Sequence, residues 1–132
     1  MTAVFADPQP TDLVTIQISG DPSSPHLTVS GEIDSSSAPV FRAQLEALLD
    51  GDASGMTVDL TGVTFLDSAG LCALALAHRR AAARGVALRV LAASRAVIRP
   101  LQITGLWALL QVELVDPAAT PQLPAQNAAS AA

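Results

Sequence analysis

The chain has 132 residues and a formal net charge of −5; half of it is hydrophobic, yet it holds only three Phe, one Trp and no Tyr. That length suits a single domain with a core of its own, and the core must be aliphatic. Only 14% of the residues are charged, which excludes a disordered polyelectrolyte, and the acidic balance leaves no concentrated basic surface for nucleic acid. All seven basic residues are Arg.

The first residues, MTAVFADPQP, lack a basic segment followed by an apolar core, so no signal peptide is expected. Residues 1–11 are expected to be a loose lead-in. LVTIQIS then sets Val14, Ile16 and Ile18 on one face at the period of a strand. GDPSSP is a turn cluster, and HLTVSGEI alternates again through Leu27, Val29, Gly31 and Ile33, so the two strands should pair antiparallel.

In DSSSAPVFRAQLEALLDG, Ser36 or Ser37 is placed to cap a helix with Pro39 in its first turn. Phe41, Leu45, Leu48 and Leu49 follow at helical spacing, and Gly51 is a terminator. MTVDL is a third strand, with Met56, Val58 and Leu60 inward. A second helix should run from Ser68 to about Gly85, followed by the strand VALRVL. A third, from Ser94 to about Thr104, contains Pro100 and should be kinked or short. ALLQVEL reads as the last strand, and residues 116–132, with three prolines and no charge after Asp116, as a disordered tail. The order β-β-α-β-α-β-α-β predicts an α/β domain, a mixed sheet of four to five strands with a layer of helices.

The chemistry concentrates at LDSAG, where an apolar run hands over to a helix at Ser68. The plain reading makes Ser68 an N-cap, worth about 1 kcal/mol over Ala. A nucleophile would need a base. His78 lies ten residues along the same helix, about 15 Å away by helical rise, and His26 opens a strand. Leu66 also stands where a G-x-S-x-G elbow needs glycine. No catalytic group, phosphate-cradling loop or nucleotide site is evident. Cys72 is the only cysteine, so neither an internal disulfide nor a multi-cysteine metal site can form. No cofactor or metal is expected. Arg79, Arg80 and Arg84 gather near a helix end, where they suit the helix dipole better than a phosphate. A third role for Ser68 is as a phosphate acceptor, since a hydroxyl at a helix N-terminus can take up charge without disturbing the core.

GEIDSSSAPVFRAQL, VDLTGVTFLDSAGLCAL and ITGLWALLQV together resemble the three signature regions of the anti-sigma factor antagonist family, the STAS domain, over residues 12–115. The resemblance implies a STAS fold and a binding protein that is not an enzyme. It implies that Ser68 is phosphorylated by an anti-sigma factor that is itself a serine kinase and supplies the ATP. The unphosphorylated form would bind that kinase and free a sigma factor, and a serine phosphatase would reset the switch. Asp34, Asp67, Ser68, Ala69, Gly70 and Leu71 would form the partner surface. The chain departs from the family in Ala69, which removes a second hydroxyl, in Pro100, and in its uncharged tail. The alternative is a STAS module that is never phosphorylated, within a stress-sensing scaffold or a lipid-transport complex. A cytoplasmic protein without a membrane partner is expected, either a monomer or a weak dimer; its apolar runs fall well short of the roughly 20 residues that span a bilayer.

Overall fold

The computed structural model describes residues 14–115; the lead-in expected over 1–11 and the tail expected over 116–132 lie outside the described residues. Strands β1 (Val14–Asp21) and β2 (Ser24–Ile33) form the expected antiparallel hairpin, pairing Val14 with Gly31 and Asp21 with Ser24. The Asp21 carboxylate closes the turn by accepting from the Ser23 N–H at 2.9 Å and from its hydroxyl at 2.8 Å. Strands β3 (Gly55–Leu66), β4 (Ala87–Ala92) and β5 (Glu113–Leu114) follow in parallel, in the spatial order β1-β2-β3-β4-β5.

Each parallel step needs a crossover, and a helix supplies it. These are α1 (Ala38–Leu49), α2 (Ser68–Arg84) and, before β5, α3 (Arg95–Thr104) with the short α4 (Leu106–Leu109). Helix α1 buries Phe41, Leu45 and Leu49; α2 buries Ala73, Leu74, Ala77 and Ala81. The two helices pack on each other, and below them lie Leu27, Val29, Ile33, Met56, Val58, Leu60 and Val90 of the sheet, each at most 2% exposed. Small side chains along α2 allow the close approach; the aliphatic sheet residues supply most of the apolar burial.

β3 is more than twice as long as the MTVDL segment. Its buried positions run Met56, Val58, Leu60, Val63 and Leu66 because the register with β2 shifts twice, between Thr28 and Ser30 and between Gly31 and Glu32. Each irregularity turns the strand so that the next inward residue comes after three positions instead of two. At Gly62 a Cβ would stand 2.8 Å from that of Ser30, so the close passage of β2 and β3 requires glycine.

Three further features refine the expectations. Ile18 shares the face of Val14 and Ile16 but not the burial of Val14: it is 50% exposed and borders a shallow pocket beside Leu48 and Gly51 at the end of α1. ALLQVEL is not one strand. Gly105 turns left-handed at φ 82°, Leu106–Leu109 form a single helical turn, and only Glu113 and Leu114 pair with β4. The cause is packing at helical spacing: Leu106, Trp107 and Leu110 lie against the core. Helix α3 keeps nearly the expected span, Arg95–Thr104, and continues through Pro100 to Gly105 instead of being cut short by it; the Thr104 hydroxyl donates to the Pro100 carbonyl at 2.8 Å.

Candidate functional site

β2 and β3 end side by side, with Ile33 opposite Leu66, and the loops that follow them carry the two carboxylates singled out in the sequence. The Asp67 N–H donates to the Ile33 carbonyl at 3.1 Å, which fastens the start of α2 to the Asp34 loop. Asp34, Asp67, Ser68, Ala69, Gly70 and Leu71 thus come together at one end of the sheet.

Asp67, not Ser68, caps α2. Its backbone is extended, and its carboxylate accepts from the N–H of Ala69 at 2.9 Å and of Gly70 at 3.4 Å. Ser68 is therefore the first helical residue. It is exposed, and its hydroxyl makes no hydrogen bond to another described residue. Two good capping residues stand next to each other, and the carboxylate is the stronger acceptor for backbone donors at the positive end of a helix.

The loop before α1 also differs from expectation. Ser37 stands at the N-cap position but makes no capping bond through its side chain; it is fully buried, and its hydroxyl donates to the Glu32 carbonyl at 2.7 Å and accepts from the Asp34 N–H at 3.0 Å. The turn is held by Asp34, which accepts from the Ser36 hydroxyl at 2.7 Å, the Ser36 N–H at 2.9 Å and the Ser37 N–H at 3.1 Å. The Ser36 hydroxyl first, then its N–H, hold the Asp34 carboxyl below its ordinary range against the opposing effect of desolvation, with the Ser37 N–H and hydroxyl adding to the lowering. Asp34 is thus a fixed negative charge in the loop that follows Ile33, the residue to which the Asp67 N–H is bonded. The spacing Asp-x-Ser carries the signal for this turn, since an Asp side chain bonds the backbone two residues on.

Gly70 is buried, and a Cβ there would stand 2.4 Å from Leu66 Cδ1 and 2.8 Å from Ile33 Cγ2. The first turn of α2 sits directly on the ends of both strands, so this position sets how far Ser68 projects. Leu71 is half-buried against the core. The histidines stand elsewhere: His26 is at the start of β2, with Nε2 3.4 Å from Asp59 Oδ2, and His78 lies near the far end of α2. Among the described residues no group of three or more His, Cys, Asp or Glu is placed to hold a metal ion, and no helix is long and apolar enough to cross a membrane.

A hairpin-led parallel sheet whose central strand delivers an exposed serine to a capped helix is the arrangement of a STAS domain. The chain belongs to that family: the family model described as "Mlab, STAS domain" matches residues 16–115. The chain is similar to the anti-sigma-B factor antagonist of Listeria monocytogenes, with 31% identity over 90 residues, 68% of this chain and 79% of that protein. Among solved structures it resembles an anti-sigma factor antagonist from Mycobacterium paratuberculosis, with a TM-score of 0.70 and 27% identity over 85% of this chain and 89% of that one. It shares its fold with SpoIIAA in the unphosphorylated form, with a TM-score of 0.67 and 18% identity over 79% of this chain and 90% of that one. For the phosphorylated form of SpoIIAA the TM-score is 0.62, at 17% identity over 79% and 94% of the two chains.

Proposed function

We propose that the protein is a cytoplasmic anti-sigma factor antagonist whose binding is switched by phosphorylation of Ser68. The observation that carries this reading is an exposed hydroxyl at the first position of a helix whose cap is already supplied by the neighbouring Asp67. The Ser68 hydroxyl contributes no hydrogen bond to the described fold, so it can be modified without unmaking one. The names of the Listeria and mycobacterial relatives support the antagonist role.

In this reading the anti-sigma factor is a serine kinase that brings its own ATP. Ser68 Oγ attacks the γ-phosphorus, ADP leaves, and the hydroxyl proton passes to a base of the kinase. The product carries about −1.5 to −2 additional charges at pH 7. The helix N-terminus offsets part of that charge, yet Asp67 already occupies two of its N–H groups, and Asp34 adds a further carboxylate close by. Docking over the loop then requires desolvating a cluster of like charges, and the partner is released. A serine phosphatase hydrolyses the ester and restores binding.

The test is to incubate the purified protein with the anti-sigma factor of its own genome and Mg-ATP, and to map phosphate by mass spectrometry. One phosphate on Ser68, absent from Ser68→Ala, is expected, and Ser68→Ala should still bind. The family description "Mlab, STAS domain" leaves room for the second reading, an interaction module that is never phosphorylated. No transfer to Ser68, together with binding indifferent to Ser68→Glu, would establish that reading instead.

A further inference from the structure

A shallow groove runs along the seam between α1 and α2. Its near end, about 440 Å³, opens at Ser35 and Ala69, next to Asp34 and Ser68, and is walled by Pro39 and Cys72. Its far end, about 450 Å³, is lined by Arg79 and Arg80. Arg42, Glu46, Ala73 and Leu76 border both ends, so the two are one continuous surface. Alanines make its floor, and Leu76 remains 41% exposed on its wall.

The charge at the far end runs against that of the chain. In a protein of net charge −5 with seven Arg, three of them, Arg42, Arg79 and Arg80, line this groove. Arg42 is engaged by Glu46 at 3.0 Å and Arg80 by Asp50 at 2.7 Å. Arg79 has no carboxylate partner among the described residues. From Ala69 to Arg80 the helical rise gives a length of about 16 Å, room for about three turns of a docked helix.

We propose that this groove is a second part of the partner interface, occupied by an amphipathic segment of the anti-sigma factor. Its apolar side chains lie over Ala69, Cys72 and Leu76, and its carboxylates meet Arg79 and Arg80. The proposal rests on the antagonist reading of Ser68 and extends it along α2. Continuity with the Ser68 loop selects the occupant, and the basic end selects its acidic character. The phosphate-sensitive loop then gates binding while the groove supplies apolar contact and register.

Cys72, exposed and the only thiol in the chain, is a built-in reporter. The experiment measures alkylation of the full-length protein by N-ethylmaleimide, alone and saturated with the anti-sigma factor, followed by mass spectrometry. It is paired with calorimetric affinities of Leu76→Asp, Arg79→Glu and Ile103→Asp; Ile103 is 78% exposed on α3 and serves as a remote control. Alkylation should slow at least tenfold in the complex. Leu76→Asp and Arg79→Glu should each bind at least tenfold more weakly with unchanged melting temperature, and Ile103→Asp should bind as wild type. Undiminished alkylation in the complex, with Leu76→Asp and Arg79→Glu binding normally, overturns the groove; if Ser68→Glu still weakens binding, the switch survives alone. Conversely, a protected Cys72 and a weakened Arg79→Glu alongside normal binding by Ser68→Glu keep the groove and remove the switch. Protection that rises with protein concentration in the absence of the partner assigns the groove to a second copy of this chain and overturns the proposal.

Discussion

Replacing Gly70 by alanine tests how tightly the first turn of α2 is seated on the sheet. The added Cβ would lie 2.4 Å from Leu66 Cδ1 and 2.8 Å from Ile33 Cγ2. Against an ordinary carbon contact of about 3.5 Å, those are overlaps of about 1.1 and 0.7 Å. The Leu66 methyl ends a flexible side chain and can swing away. The Ile33 methyl sits on a β-branched carbon with one preferred rotamer and cannot. Overpacking of this kind costs about 1–3 kcal/mol, and the better helix propensity of alanine returns up to about 1 kcal/mol. A net loss of about 1–2 kcal/mol follows, a fall in Tm on the order of 5–10 °C for a domain of this size. Urea and thermal unfolding followed by circular dichroism would measure it. In an Ile33→Ala background the methyl that cannot move is gone, so the same substitution should cost at least about 0.5 kcal/mol less. A Gly70→Ala protein that melts at or above wild type, or an equal cost in both backgrounds, would refute the argument from close seating.

Asp67→Ala should lose about 1 kcal/mol of stability in urea unfolding, while Ser68→Ala stays within about 0.5 kcal/mol, because only Asp67 accepts from the α2 backbone. The opposite ranking would return the cap to Ser68. Asp34 should titrate below its ordinary value when followed by NMR, and Ser36→Ala should raise it, since the Ser36 hydroxyl is the leading cause of the shift. A folded pKa held below the unfolded one stabilises the fold above the unfolded pKa. That contribution is lost as pH falls through the folded value, so the Asp34 turn should loosen only in the acid range below about pH 4. An Asp34 titration unmoved by Ser36→Ala would contradict this assignment.

Much of the fold is written locally in the sequence. The hairpin shows in the alternation on either side of GDPSSP, α1 in its apolar spacing and Pro39, and α2 in its run to Gly85, which indeed ends it at φ 70°. Where sequence reasoning missed, tertiary contacts decide. The inward pattern of the second half of β3 was not legible, although its end before Asp67 was, because two irregularities break the period of two and the spacing of Val63 and Leu66 imitates a helix. In ALLQVEL, the alternation masked that Leu110 belongs to a helical set with Leu106 and Trp107, which lie just before the segment. The Ser68 apex was legible as a strand–helix junction, yet its division of labour was not: Asp67 and Ser68 are both good caps, and only backbone geometry shows which one faces the free N–H groups. The α1–α2 groove leaves no mark in a linear reading, because its walls are more than twenty residues apart in the chain.

The central claim is that Ser68 sets the affinity for the anti-sigma factor through charge and not through the fold. The direct measurement is isothermal calorimetry of that partner against the unmodified protein and against protein stoichiometrically phosphorylated on Ser68, with the Tm of both forms recorded. Phosphorylation should weaken binding at least tenfold, about 1.4 kcal/mol, with the fold retained. Equal affinity of the two forms, or a loss of affinity that merely follows unfolding, would contradict it.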